Sequence, residues 1–198
     1  MKKAKLALAA LAVMATVGTV NAQTTFGVRA GVGLNGLTGK GTDNLDNKFG
    51  WHAGVNLEKR IGNDIYFQPN LLFYAKGSEA TIANVKTSTT LNYLEVPLNF
   101  VYKGEVGSGK VLVGLGPYVG YGIGTKSKVG SNSTSPSFED VNLKKFDLGG
   151  NLLLGWEFSN NLSAQLNAGM GFMKINDKQV ADYSPKNIGF GVSLGYRF

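Results

Sequence analysis

The stretch Ile188-Gly189-Phe190-Gly191-Val192-Ser193-Leu194-Gly195-Tyr196-Arg197-Phe198 places a bulky apolar or aromatic residue at every second position. Glycine, serine and arginine fill the positions between. A period of two is the signature of a strand, because successive side chains point to opposite faces. The large face must be buried in something apolar. If that were a protein core, the other face would meet water and carry Lys, Glu and Thr, yet it is mostly glycine, which suits a crowded interior. A membrane β-barrel strand satisfies both faces, with the apolar band toward lipid and the small and charged residues in the lumen.

The same alternation recurs upstream, in residues 25–35, 49–60, 65–76, 90–102, 110–123, 143–158 and 162–175. With 186–198 these make eight strands, each long enough for the roughly 9 to 11 residues a tilted strand needs to cross the hydrocarbon. The connections alternate long and short along the chain, as an outer-membrane barrel with long outer loops and tight periplasmic turns requires. The expected fold is therefore all-β, an eight-stranded antiparallel up-and-down transmembrane β-barrel with both termini on the turn side. At this size the interior is just wide enough for side chains to fill. Arg29, Glu58, Glu95, Asp147, Glu157 and Arg197 all fall on the inward face and are expected to pair in a lumen charge network. Pro69, Pro97 and Pro117 lie inside strands and each removes a ladder donor, so bulges are expected there.

Residues 1–22 read as a separate piece. Lys2, Lys3 and Lys5 precede an apolar run, Leu6 to Val20, and Val20-Asn21-Ala22 supplies small residues for cleavage, the layout of a secretory signal. The domain plan is thus a signal at 1–22 and a barrel at 23–198. The apolar run is shorter than the roughly 20 residues of a membrane helix. Removing it lowers the formal charge from +7 to +4, so most of the basic excess belongs to the signal and gives no reason to expect nucleic acid as a partner. With no cysteine, there is no disulfide, zinc–thiolate site, thiol nucleophile or lipidated cysteine. His52 is the only histidine, and it reads as a satisfied lumen residue.

The residues Tyr93-Leu94-Glu95-Val96-Pro97-Leu98, then Gly116-Pro117-Tyr118 and Gly155-Trp156-Glu157-Phe158, resemble the small outer-membrane β-barrel family of Bacteroidetes, the porin-like group with PorT-type proteins. The likeness in layout covers essentially the whole mature chain. It implies a fold and an outer-membrane location in a Gram-negative cell, and no activity. The terminal Tyr196-Arg197-Phe198 resembles the aromatic ending read by the barrel-insertion machinery, which makes Tyr196 and Phe198 the expected insertion signal.

Three motif matches point elsewhere. Gly31-Val32-Gly33-Leu34-Asn35-Gly36 has dinucleotide-site spacing, but no helix pattern follows. Gly104 to Lys110 has P-loop spacing, but Val111 stands where the magnesium-holding hydroxyl belongs. Gly191-Val192-Ser193-Leu194-Gly195 imitates a nucleophile elbow, with the only histidine far upstream and no helix to follow. Ser193 reads as a lumen-facing strand residue. Asp43 and Asp46 read as solvated loop acids. Lys126, Lys128, Lys144 and Lys145 read first as a solvated cluster, their functional reading being attraction to anionic surface sugars or lipids.

The leading expectation is a non-enzymatic, cofactor-free barrel with a filled lumen and a role in structure, surface interaction or envelope assembly. Its expected partners are outer-membrane lipid and lipopolysaccharide, the insertion machinery, and a surface or periplasmic protein, with loops 36–48 and 124–142 as the contact surface. The alternative is a narrow porin or small-solute channel. A soluble lipocalin-like binder is disfavoured, because a water-facing exterior has no need of so many glycines.

Overall fold

The computed structural model describes residues 24–82, 85–177 and 182–198. The expected signal at 1–22 lies outside them. Nine strands are present among the described residues: β1 (Thr24–Thr38), β2 (Asp46–Arg60), β3 (Ile65–Ile82), β4 (Val85–Val106), β5 (Gly109–Val129), β6 (Asn132–Thr134), β7 (Phe146–Glu157), β8 (Leu162–Gly171) and β9 (Lys186–Arg197). Each pairs antiparallel with its neighbour in the chain, save that β7 bypasses the short β6 to pair with β5. The last strand returns to the first through the ladder Gly27↔Arg197 to Thr38↔Lys186, which closes a ring of eight with β6 appended to β5. Closure gives each of the eight ring strands a partner on both sides, and only the three-residue β6 has a free edge.

The two faces divide as the alternation demands. Leu194 is 70% exposed and Phe190 62% on the outside, whereas Asn70 and Asp147 are fully buried inside. Exposed aromatics gather at both ends of this apolar surface. Phe26, Tyr102, Phe158, Tyr196 and Phe198 lie toward the turns, and Phe49, Trp51, Phe146, Phe172 and Phe190 toward the loops. Two such girdles about an apolar band are what a barrel shows where its surface crosses the two membrane interfaces.

Three features differ from the sequence reading. First, the expected loop at 77–89 is strand: β3 and β4 run on as a hairpin to Ile82↔Val85, and β5 continues to Val129. Ser, Thr and Lys fill this extension, and with water on both faces nothing imposes an apolar period. The β-branched Thr residues still favour extended backbone.

Second, the prolines carry no bulge. Pairings on either side of Pro69, Pro97 and Pro117 keep one register, from Pro69↔Leu98 to Leu72↔Glu95 and from Pro97↔Tyr118 to Phe100↔Leu115. The pairs between those rows are missing instead. A proline removes one donor but adds no residue, so the ladder loses bonds locally without slipping. The register shifts fall at Asn47/Trp51 and Asn92/Tyr93.

Third, β7 begins at Phe146 and β8 ends at Gly171, so Leu143 and Ile175 leave the barrel wall. They join a cap over the loop-end mouth, described below.

Candidate functional site

Inside the ring the polar side chains form two groups, one toward the turns and one at mid-height. In the turn-end group Lys103 Nζ lies 2.7 Å from Glu58 Oε1 and 2.7 Å from Glu157 Oε2. Arg197 reaches the same two acids, at 3.1 Å from Glu58 Oε2 and 3.7 Å from Glu157 Oε2. Two cations and two carboxylates thus alternate around a closed, neutral quartet. Gln68 Nε2 donates to Glu58 Oε2 at 3.0 Å, and Arg197 Nη1 to Asn56 Oδ1 at 3.2 Å. Such satisfaction is the condition for holding charge away from water, where an unpaired ion is costly.

The mid-height group centres on Lys76. Its ammonium pairs with Glu95, stands 3.9 Å from Asp147 Oδ2, and sits over the Tyr118 and Tyr74 rings at 4.5 and 4.9 Å. Asp147 also accepts hydrogen bonds from the Tyr118 hydroxyl at 3.1 Å and from Asn187 Nδ2 at 2.8 Å. Arg29 departs from expectation. Its Nη1 donates to the neutral Gln165 Oε1 at 3.2 Å, and among the described residues it has no carboxylate at ion-pair distance. It balances the group's charge across the lumen without direct contact. A cavity of about 40 Å³ lies beside Arg29, His52, Lys76, Glu95 and Asn187, room for a water or two.

Of the six inward charges named from sequence, Glu58, Glu157 and Arg197 meet in the turn-end group. Glu95 and Asp147 meet in the upper one, with Arg29 at its margin. Reading the sequence missed both central lysines, Lys76 and Lys103. Alternation could have found Lys76, two residues beyond Tyr74 on the same face. Lys103 needed β4 extended past Tyr102. An apolar layer of Val101, Leu112 and Leu153 was missed as well.

The serine-histidine pair that the sequence separates is brought together by ring closure. His52 Nε2 is 2.9 Å from Ser193 Oγ, and Asn167 Nδ2 donates to that oxygen at 2.6 Å. Which of the two donates depends on the imidazole tautomer; with Nε2 unprotonated, the serine hydroxyl donates to it. In that tautomer the contact has the form of the hydrogen bond of an activated nucleophile. But Ser193 is 3% exposed, the Nδ1 of His52 is buried with no hydrogen-bond partner to orient it, and the adjoining cavity holds no more than water. On the lumen side the pair is part of the side-chain packing that fills the barrel. Among the described residues no His, Asp and Glu cluster could hold a metal ion.

The loop-end mouth is closed by side chains. Phe138 and Ile175, from the two long connections, are buried against Leu91 and Tyr93, with Leu37 and Leu143 at the margin. Phe138 meets the Tyr93 ring edge-on at 5.7 Å. It fits because Gly122 lies beneath it; a Cβ there would collide with the phenyl ring. The strap carrying Phe138 is tied down by Thr125 Oγ1 to the Pro136 carbonyl and by Lys145 to Glu139. That lysine holds the exposed Glu139 carboxyl below its usual range. The 124–142 segment expected as an outer contact loop thus turns inward at its centre.

A family model described as "Outer membrane protein beta-barrel domain" matches residues 21–177, most of the chain. The chain belongs to this family. It is thus an outer-membrane β-barrel protein of the Gram-negative envelope. No curated protein matches it in sequence. Among solved structures it is similar to Neisserial surface protein A, at 12% identity over 87% of this chain and 97% of that one, with a TM-score of 0.51. It is also similar to Ail, the attachment invasion locus protein of Yersinia pestis, at 15% identity, covering 89% of this chain and 99% of that one, TM-score 0.44. A third is the outer membrane enzyme PagL, at 14% identity, covering 86% and 98%, TM-score 0.48. At these identities the likeness to Neisserial surface protein A is one of fold alone.

In this outer-membrane barrel the sequence-expected insertion signal lies on the lipid face. Phe198 is 67% exposed and stacks on Phe26 at 5.6 Å, with Tyr196 edge-on to it at 5.0 Å.

Proposed function

We propose that this outer-membrane barrel is a non-enzymatic protein with a closed lumen, serving surface interaction or envelope assembly through what it presents at its loop end. The observation that carries the reading is the double obstruction of the axis, by the Glu58–Lys103–Glu157–Arg197 quartet toward the turns and by Phe138 and Ile175 at the mouth. A solute would have to break buried ion pairs and expel the buried Phe138 and Ile175 to pass. Within this reading the exposed Tyr196 and Phe198 serve recognition by the insertion machinery during assembly. The family's Bacteroidetes, PorT-type branch is the origin favoured by the stretch Tyr93 to Leu98.

The second reading is a narrow channel. It is favoured by the small cavity at mid-height and by Arg29, which faces it without a carboxylate partner. Planar-bilayer recording with the purified mature protein distinguishes the two. The closed-barrel reading expects a silent membrane in which insertion is verified by heat-shifted gel mobility. Stable, reproducible conductance steps would establish the channel.

A further inference from the structure

The outer face of the wall formed by β3, β4 and β5 changes character at the loop end. Leu91 pairs with Thr125 and both are buried, so both face the barrel axis. Alternation then turns Lys126, opposite Thr90, and Lys128, opposite Ser88, to the outside. Both lysines are exposed, and among the described residues neither has a carboxylate within ion-pair distance. The nearby acid of this wall, Glu79, is occupied by Lys86 at 2.6 Å and Lys48 at 3.5 Å. The cations of β5 are therefore left without compensation from the chain.

Their height narrows the partner. The last aromatic of the outer face of β5 is Tyr121, which pairs with Phe146 of the loop-end girdle. From Tyr121, opposite Leu94, to Lys126, opposite Thr90, the ladder climbs four rungs past the bulge, about 13 Å, or roughly 10 Å along the membrane normal at a tilt of about 40°. The polar layer of a phospholipid leaflet is only about 5 to 8 Å deep. The lysines stand at or above its limit, where the phosphates of a glycolipid carried on sugars are found. Between girdle and lysines an open cavity of about 290 Å³ offers the half-buried Tyr121 and Lys145 and the exposed Ser135 and Ser137, with the buried Thr125 and Phe138 forming its inner side.

We propose that Lys126 and Lys128, above this cavity, bind the phosphorylated sugar headgroup of an outer-leaflet glycolipid. The vertical order of aromatic girdle, mixed cavity and paired cations matches the order of acyl chain, sugar and phosphate. The site lies outside the barrel and is independent of whether the lumen conducts.

The test is native mass spectrometry of the folded mature protein in detergent, titrated separately with bis-phosphorylated lipid A, dephosphorylated lipid A and phosphatidylglycerol. The expected result is retention of bis-phosphorylated lipid A in preference to the other two. Lys126→Gln with Lys128→Gln should weaken it roughly 25-fold, about fivefold per lysine as for cations at an anionic membrane surface. Lys128→Gln alone, expected to lose about fivefold, keeps the test readable if the double variant assembles poorly. Lys40→Gln, at an exposed loop lysine paired with Asp182, should change nothing. Unchanged retention in the lysine variants, equal retention of phosphatidylglycerol, or no retention of lipid A by the wild type would each overturn the proposal.

Discussion

His52 Nε2 reaches Ser193 Oγ, at 2.9 Å, across a strand that contributes no side chain to the gap. His52 is on β2 and Ser193 on β9, and Gly31 of the intervening β1 pairs with both. A Cβ on Gly31 would lie 2.6 Å from His52 Cε1 and would strike the Val192 carbonyl. Gly31→Val is therefore expected to lower barrel stability by about 1 to 3 kcal/mol, the usual cost of overpacking. Gly124→Ala, whose added carbon meets nothing closer than Asn92 Nδ2 at 3.9 Å, should stay near wild type. Urea unfolding in lipid vesicles compares the two, and equal midpoints would show that the window at Gly31 is not needed.

The turn-end quartet makes an asymmetric forecast. Lys103→Met leaves Glu58 and Glu157 to share Arg197 alone, and should cost roughly 3 to 5 kcal/mol, as when one partner of a buried pair is removed. Arg197→Met leaves Lys103 bridging both acids at 2.7 Å and should cost distinctly less. Unfolding midpoints in the reverse order would put the centre of the quartet on the arginine.

Phe138 is buried at the mouth although its chain segment carries no strand periodicity. Phe138→Ala should free the strap, so that limited proteolysis cuts within residues 131–142 while the barrel's unfolding midpoint stays put. A strap that remains as resistant as wild type would mean that Thr125 and Lys145 hold it without the ring.

The barrel was legible in the sequence because lipid on one side and a crowded lumen on the other impose the same alternation on every strand. Leu194 beside Ser193 and Leu94 beside Glu95 could each be assigned a face from the chain alone. What alternation cannot convey is which inward residues meet. His52 and Ser193 become neighbours only when β9 pairs with β1, and Lys103 lies one residue beyond Tyr102, where the alternating apolar pattern of that strand stops. Where water covers both faces, as at Thr87 to Thr90, no period exists to read. The lone proline positions misled for a different reason, since a lost donor interrupts a ladder without shifting it.

Orientation follows from connection length: the turns at 61–64, 107–108 and 158–161 are short, and the opposite end carries the extended hairpin and strap. Cysteine at Ser131 should react with a membrane-impermeant reagent on intact cells, and cysteine at Asn160 only after lysis. The opposite labelling would invert the barrel.

The central claim is that buried, mutually paired side chains fill the lumen. Glu95 is the carboxylate that pairs with Lys76 at mid-height, whereas neighbouring Leu94 faces outward. Glu95→Ala leaves Lys76 with only Asp147, 3.9 Å away, and a loss of about 3 kcal/mol or more is expected, against a modest effect for Leu94→Ala. Urea unfolding in vesicles, recorded beside planar-bilayer conductance for both variants, is the direct measurement. The filled-lumen account predicts a large drop in the unfolding midpoint for Glu95→Ala, and a wild-type protein that does not conduct. Wild-type stability in Glu95→Ala, with a conducting parent protein whose cation preference falls in the variant, would contradict it and identify a pore.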